Sequence, residues 1–288
     1  MIKNKTLSLL FILLIYVIAF AIGFFSSFWI ENIFLRFFFI DVIATIVVYL
    51  YSAILKNSSV YDPYWSFTPW LFLLYFFIVY KRFDLPGIAL FCAITLYSWR
   101  LTINWITTFT SLEKEDWRYA NYRANNKGFM FFLINFFGIH MMPTILVYGA
   151  LLPLLYAFVN GLSNYMLLGA GIILVGVILE FFADHSMHKF LKETKERKVC
   201  EKGLWKYSRH PNYLGEILVW VGCFVAMAVT HYDKWYLVYG CVLIILLFEF
   251  ISIPMMEKRQ MARRPDYLRY KKETSRLLIL PKRKIKDK

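Results

Sequence analysis

The segment LWKYSRHPNYLGEILVW, residues 204–220, carries an Arg, a His, an Asn and a Glu into the start of an apolar run. Arg209 suits the capture of a phosphate, His210 is a hydrogen-bond donor, and Asn212 suits an amide or a ribose hydroxyl. Pro211 fits the first turn of a helix, and helix N-termini attract anions. These residue types indicate a binding site for a phosphorylated polar ligand.

Polar side chains four residues apart recur on three predicted helices, and this spacing places both members of a pair on one helix face. An ionisable side chain in hydrocarbon costs on the order of 2.5–3.5 kcal/mol, so those that persist usually face a cavity or a partner. We therefore predict a polar pocket at one membrane face. The alternative is that the pairs only join helices to one another. The pairs are Arg100 with Asn104, Glu180 with Asp184, and Asn212 with Glu216.

The segment SLEKEDWRYANYR, residues 111–123, interleaves charged and aromatic residues. Arg118 and Tyr119 suit stacking on a flat ring and bidentate binding of phosphate, and Asp116 adds an acceptor. A solvated surface loop would show the same composition. The segment therefore predicts either part of the ligand site or exposed polar surface.

Two weaker patterns are interpreted as structural. The stretch GAGIILVG, residues 169–176, resembles a dinucleotide-binding glycine pattern but lies inside a predicted span, where small residues allow close helix packing. Glu180, Asp184 and His188 share a helix face, yet the five histidines of the chain are scattered. We predict no metal site.

The elements that must position these residues are long apolar helices. The chain has 288 residues, of which 59% are hydrophobic, and its apolar runs match the roughly 20 residues that a helix needs to cross a bilayer. The predicted fold class is all-α, a polytopic transmembrane bundle of about seven or eight spans, with up to about ten helices when interfacial ones are counted. The predicted spans are 7–28, 34–55, 66–80, 87–110, 140–159, 165–183, 212–229 and 236–253. The aromatic stretch 128–138 is either an interfacial helix or the start of the fifth span.

The net charge of +14 lies mainly outside the spans. Lys and Arg concentrate in 111–127, in 184–210 and after residue 253, whereas the opposite loops hold only Lys81, Arg82 and Lys234. By the positive-inside rule, both termini and the long loops are predicted to be cytoplasmic. The charge therefore indicates membrane topology and anionic headgroups, and not a nucleic acid partner.

One membrane domain is predicted over residues 1–288, because no linker or internal repeat interrupts the chain. Within it, residues 1–33 form a peripheral first span and residues 254–288 a basic cytoplasmic tail. The oligomeric state is left open.

Several motifs carry a resemblance to a known family. They are GLWKYSRHPNYLGE (203–216), EDWRY (115–119), WRL (99–101), DPYW (62–65), the acidic pair Glu180 and Asp184, and Glu257 followed by PDYLRYKKETSRLLILP. Together they resemble the DUF1295 family of the steroid 5-alpha-reductase superfamily, which also includes sterol C14 reductases and, distantly, isoprenylcysteine carboxyl methyltransferases. The resemblance covers about residues 40–285, which form the reductase-like core.

The resemblance implies that NADPH binds in a cytoplasm-facing cavity and that an apolar lipid enters from the bilayer. Asn212 and Glu216 would contact the nicotinamide end. The ribose, pyrophosphate or adenosine would be contacted by Arg100, Asp116, Arg118, Asp184, Arg209 and His210. The remaining residues expected at the cofactor are Asn104, Tyr119, Tyr207, Tyr213, Glu257, Tyr267 and Tyr270.

The expected reaction is reduction of an activated carbon–carbon double bond in a steroid-like or other membrane-soluble lipid. A buried acid can be kept protonated by desolvation, which suits a proton donor. The candidates are Asp62, Tyr64 and Glu216, since the substrate-end residues of the steroid enzymes have no literal counterpart here. Two alternatives remain open: a membrane methyltransferase that uses S-adenosylmethionine, and a non-catalytic lipid- or nucleotide-binding protein.

Overall fold

The computed structural model describes residues 2–194 and 197–283, and its described chain is all-α, which confirms the predicted fold class. No β-strand occurs within these two ranges. The end of the predicted basic tail, residues 284–288, lies outside them. The α-helices are α1 (Lys5–Ser26), α2 (Ile33–Leu55), α3 (Asp62–Val79), α4 (Leu85–Thr108), α5 (Trp117–Asn125), α6 (Gly128–Leu133), α7 (Met142–Asn160), α8 (Leu167–Glu193), α9 (Pro211–Ala228), α10 (Tyr239–Leu247), α11 (Ile253–Arg263) and α12 (Tyr267–Glu273).

Seven helical stretches in the described chain are long and apolar enough to cross a membrane. Two of them each contain two α-helices. One joins α6 and α7 through a π-helical segment, Ile134–Met141, and the other joins α10 and α11 through a second π-helical segment, Phe248–Ser252. The seven stretches are Lys5–Ser26, Ile33–Leu55, Leu85–Thr108, Gly128–Asn160, Asn164–Glu193, Pro211–Ala228 and Tyr232–Arg263.

The predicted third and fifth spans differ from the structure. Helix α3 starts at Asp62 and not at residue 66, and it is not among the seven, because two prolines, Asp62 and hydroxyl side chains reduce the hydropathy of its first two turns. The aromatic stretch 128–138 is the start of the continuous helical stretch Gly128–Asn160, which contains the predicted fifth span, and it is not a separate interfacial helix. Seven crossings would place the two termini on opposite sides of the membrane. Termini on one side require α3 to cross as well, so their common cytoplasmic location stays a prediction.

Two compact units make up the chain, Met1–Leu162 and Ser163–Lys288, here the N-terminal unit and the C-terminal unit. The predicted peripheral first span is α1, which contributes Ile15 and Ala19 to a buried cluster of the N-terminal unit. A Cβ on Gly23 of α1 would lie 2.7 Å from the Ile40 carbonyl oxygen of α2, so these helices pack backbone against backbone. The prediction of a single domain stays a prediction.

In the C-terminal unit, glycines bring α8 and α9 into close contact. A Cβ on Gly169 would lie 2.5 Å from the backbone nitrogen of Ala226, and a Cβ on Gly176 would lie 2.6 Å from the Gly215 carbonyl oxygen. Small residues allow such close approach between membrane helices. The predicted packing role of residues 169–176 is therefore confirmed.

Candidate functional site

The EDWRY segment of the N-terminal unit is held against the turn that precedes α3. Glu115 accepts hydrogen bonds from the backbone N–H of Ser58 at 2.8 Å and from Arg123 at 2.8 Å and 3.0 Å. The backbone N–H of Asp116 donates to Ser59 Oγ at 2.7 Å. These bonds fix the start of α5, so the segment is an ordered wall of the site and not a solvated loop.

A cavity of about 490 Å³ lies in the N-terminal unit. Helix α3 contributes Asp62 to it, and the last two turns of α4 contribute Asn104. Asp116 and Arg118 complete the set of sequence-predicted residues that this cavity brings together. Its volume falls within the roughly 300–1,000 Å³ that is typical of small-molecule sites. Arg100, one turn before Asn104, is half-buried and is not among the lining residues.

Asp62 is a carboxyl group of this cavity whose side chain is only 10% exposed. Its Oδ1 accepts a 2.5 Å hydrogen bond from the Tyr119 hydroxyl, and Arg118 Nη2 lies 3.4 Å away. The Trp105 side chain also hydrogen-bonds to it. Burial raises the pKa of Asp62 to about 6, although Arg118 and the two hydrogen bonds act in the opposite direction. Burial also raises the pKa of Tyr119, so its hydroxyl remains a donor at neutral pH.

The raised pKa of Asp62 predicts a pH-dependent stability. Because the folded state holds this proton more tightly than the unfolded state, the stability should rise as the pH falls from about 7 to about 5. Asp62→Asn removes the titration. Burial lowers the pKa of His210, and this shift reduces the stability as the pH falls through the same range. The wild type and Asp62→Asn both contain His210, so its contribution cancels in the difference between them. The difference in free energy of unfolding, wild type minus variant, should therefore increase on acidification. A difference that is constant with pH would contradict the environment assigned to Asp62.

In the C-terminal unit, the loop before α9 is bonded to the segment that follows α12. The backbone N–H of Arg209 donates to the Ser275 carbonyl at 2.8 Å, and Ser208 Oγ donates to the Leu277 carbonyl at 2.7 Å. The Tyr270 hydroxyl donates to the Trp205 carbonyl at 2.5 Å. The first part of the predicted basic tail is therefore a wall of the RHPNY loop and not a solvated extension.

The Arg209 side chain donates its hydrogen bonds mainly to acceptors within the protein. Its side chain is 8% exposed, and Nε donates to Glu257 Oε1 at 2.7 Å. Its Nη1 donates to the carbonyl oxygens of Lys271 at 2.8 Å and Thr274 at 2.6 Å. Glu257 also pairs with Lys271 Nζ at 2.8 Å, and His210 Nε2 lies 3.5 Å from Glu257 Oε1. The first structural role of Arg209 is thus to anchor the tail, and its contact with a phosphate stays a prediction.

A cavity of about 270 Å³ lies next to this network in the C-terminal unit. It brings together seven of the sequence-predicted residues. Tyr207, Glu216 and Glu257 are not among its lining residues; Glu216 is buried on α9 and accepts a 2.9 Å hydrogen bond from the Trp220 indole. The seven are Asp184, Arg209, His210, Asn212, Tyr213, Tyr267 and Tyr270.

The structure adds Arg264, which the sequence interpretation missed. Its side chain lines the C-terminal cavity, and no carboxylate of the described chain lies within 4.0 Å of its guanidinium. Its neighbour Arg263 is exposed and is not a lining residue. The sequence shows two adjacent arginines before a proline, and this pattern does not distinguish the one that faces the cavity.

A buried chain of hydroxyl groups in the N-terminal unit was also missed. The Tyr64 hydroxyl donates to Asp41 Oδ1 at 2.7 Å and bonds to Thr45. Thr144 Oγ1 lies 2.8 Å from Thr45 Oγ1 and 2.7 Å from the Tyr61 hydroxyl. The predicted proton donor Tyr64 therefore belongs to this series of hydrogen-bonded hydroxyl groups and not to the cavity lining. An acidic residue inside a predicted span is a signal that could have found Asp41.

The fold and the two cavities define a multi-pass integral membrane protein of the all-α class, with polar cavities in both units. The chain belongs to the DUF1295 family, described as proteins of unknown function, whose model matches residues 48–274. It is similar to the uncharacterized protein C594.04c of Schizosaccharomyces pombe, with 24% identity over 204 residues. That match covers 61% of this chain and 59% of the relative. No solved structure matches the chain.

Proposed function

We propose that this protein is an NADPH-dependent reductase of an activated carbon–carbon double bond in a membrane-soluble lipid. The observation that carries the proposal is the composition of the C-terminal cavity, whose lining contains the guanidiniums of Arg209 and Arg264 and the single carboxylate of Asp184. The charge of Arg209 is paired with Glu257, so the guanidinium of Arg264, which has no carboxylate of the described chain within 4.0 Å, is the charge that favours an anionic ligand. The resemblance of the RHPNY and EDWRY motifs to the steroid 5-alpha-reductase superfamily supports a nicotinamide cofactor.

The residues present fit a part of a phosphorylated dinucleotide. Arg209 is largely occupied by Glu257 and two carbonyls, so Arg264 is the planar donor that remains for phosphate oxygens. Asp184 is an acceptor suited to ribose hydroxyls, and Tyr213 offers an aromatic surface next to the parallel ring of His210, 5.3 Å away. At about 270 Å³ the cavity is below the usual size range, so it would enclose one end of the cofactor and not the whole.

NADPH would supply a hydride, and the protein must supply a proton and stabilise the developing enolate. Of the three predicted acids, Asp62 has the most suitable surroundings, because it lines a cavity and its pKa is about 6. A general acid works best when its pKa lies near the working pH. The Tyr64 hydroxyl is bonded to Asp41, and Glu216 is bonded to Trp220.

Thermal unfolding with two nucleotides distinguishes the reductase from the methyltransferase alternative. NADPH should stabilise the purified protein, by about 2.7 kcal/mol at a concentration of about 100 times its Kd. S-adenosylmethionine has a sulfonium and no phosphate, so it should give little protection. Protection by S-adenosylmethionine alone would transfer the assignment to the methyltransferase.

Turnover then separates a catalyst from a binding protein. NADPH should be oxidised in the presence of lipids from the native membrane, and one lipid should gain two hydrogens. Protection by NADPH without any oxidation would favour the non-catalytic alternative.

A further inference from the structure

The segment that follows α12 presents three successive apolar side chains on the surface of the C-terminal unit. Leu278, Ile279 and Leu280 are 57%, 37% and 45% exposed. A contiguous exposed apolar patch that is rimmed by polar residues marks a contact with a membrane, a ligand or another protein. These three residues, here the apolar triplet, therefore require a partner.

The backbone of the apolar triplet is fixed. The N–H of Leu280 donates to the Tyr207 carbonyl at 3.2 Å, and the N–H of Arg283 donates to the Glu273 carbonyl at 2.8 Å. Hydrogen bonds to two different parts of the unit hold the segment in one place. The exposure of the triplet is therefore a property of an ordered surface and not of a frayed chain end.

Neighbouring contacts place the apolar triplet at the edge of the hydrocarbon core. The Trp205 indole donates to the Ala183 carbonyl of α8 at 2.8 Å. Ala183 directly follows Phe181 and Phe182, which are exposed on one of the candidate spans and would face lipid there. Tyr207, which holds the triplet, lies two residues after Trp205 and shortly before the span formed by α9. The triplet thus lies where two spans leave the membrane.

Two unpaired cations flank the apolar triplet. Lys206 is exposed, with its Nζ 5.6 Å from the centroid of the Tyr207 ring, and Arg283 is exposed after the triplet. Within residues 2–194 and 197–283, no carboxylate lies within 4.0 Å of either cation, whereas Lys282 pairs with Glu201. Apolar side chains beside lysine or arginine are typical of segments that lie in a membrane interface, and such cations attract anionic headgroups.

We propose that the apolar triplet is an interfacial anchor, which inserts between the headgroups and acyl chains of the adjoining leaflet while Lys206 and Arg283 bind anionic headgroups. The partner is a lipid surface and not a second protein, because the triplet lies level with the lipid-facing end of α8 and both flanking charges are positive. The anchor holds the segment beside the RHPNY loop against the bilayer. It acts whether or not the protein binds a nucleotide.

Fluorescence quenching in phosphatidylcholine vesicles tests the depth of the triplet. A bimane label is attached to Ile279→Cys in the full-length protein, with Cys92→Ser as the background because the other cysteines are buried. Lys202→Cys is the control that should face water. Lys202 pairs with Glu193, the last residue of α8, about 16 Å along the helix beyond Phe182.

The two labels should respond in opposite ways to two quenchers. Aqueous iodide should quench the label at Ile279→Cys roughly fivefold less than the label at Lys202→Cys, and a phosphatidylcholine with a doxyl group near its headgroup should quench it roughly fivefold more. Equal quenching of both labels by iodide would overturn the proposal. Protection of the first label from both quenchers would also overturn it, because a protein surface would then cover the triplet.

The charge of the lipid tests the two cations. Doxyl-labelled phosphatidylglycerol should quench the label at Ile279→Cys roughly twofold more than the same mole fraction of doxyl-labelled phosphatidylcholine. This excess should disappear when Lys206→Gln and Arg283→Gln are combined. The combination of Lys189→Gln and Lys192→Gln removes the same charge from the exposed end of α8, and it should keep the excess. Equal quenching by both lipids, or the same response of both combinations, would overturn the assignment of Lys206 and Arg283 to anionic headgroups.

Discussion

Gly215→Ala is expected to separate α8 from α9 and to destabilise the C-terminal unit by about 3 kcal/mol or more. The added Cβ would lie 2.4 Å from Glu180 Cγ and 2.6 Å from the Gly176 carbonyl oxygen. The backbone of α8 cannot move aside as a flexible side chain can, so the cost should reach or exceed the upper end of the roughly 1–3 kcal/mol that is typical of overpacking. The same contact positions Asn212, which lies in the first turn of α9 and lines the cavity.

Labelling of a buried thiol measures this opening. Cys223 on α9 is fully buried, and its reaction with a maleimide, located by mass spectrometry, should become faster in Gly215→Ala. Gly171→Ala is the matched control, because a Cβ at that position on α8 meets no atom within 4 Å. Alanine is also the better helix former by about 1 kcal/mol, so the control should keep or gain stability. Equal labelling of the two variants would show that the close approach of α8 and α9 contributes little.

Glu257→Ala is expected to cost about 3–5 kcal/mol, because it leaves the buried charge of Arg209 without its carboxylate. Glu257 and Arg209 have side chains that are 6% and 8% exposed. The substitution also removes the 2.8 Å ion pair with Lys271 of α12. The segment after α12 should therefore detach from the RHPNY loop.

Limited proteolysis and unfolding together check this prediction. Trypsin should cleave after Lys271 and Lys272 sooner in Glu257→Ala than in the wild type. Glu193→Ala is the control: its partner Lys202 lies 3.0 Å away, but the pair is 45% and 60% exposed, so the loss of stability should be much smaller than in Glu257→Ala. A similar loss of stability in both variants would show that burial of the Arg209 pair carries no special weight.

The sequence predicted well what depends on local patterns. Apolar length located the helix from 211 to 228 within one residue at either end, and Pro211 lies in its first turn as expected. The small residues at 169–176 pack against α9 as predicted. Helix α3 begins four residues before its predicted span, because Asp62 and Pro63 precede the apolar residues by which the span was located.

Properties that depend on distant partners could not be predicted. Arg209 and Glu257 are far apart in sequence, and no periodicity shows that they form a buried pair. The interpretation of Arg209 as a phosphate ligand rested on its residue type and on the family resemblance. In the structure its Nε and Nη1 donate to the protein, and Arg264 is the lining cation without an acidic partner in the described chain. Arg263 is the last residue of α11, whereas Arg264 is its C-cap and has an extended backbone, so helical periodicity does not predict which of the two faces the cavity.

Equilibrium binding of NADPH to the wild type and to Arg264→Ala and Arg263→Ala tests the central claim most directly. Loss of a hydrogen bond to a charged group costs about 1.5–3 kcal/mol, so Arg264→Ala should bind NADPH roughly tenfold to a hundredfold more weakly. Arg263→Ala removes the same charge next to the cavity but not in its lining, and it should bind as the wild type does. Equal affinities of the two variants, or a wild type that does not bind NADPH, would contradict a nucleotide site in the C-terminal cavity.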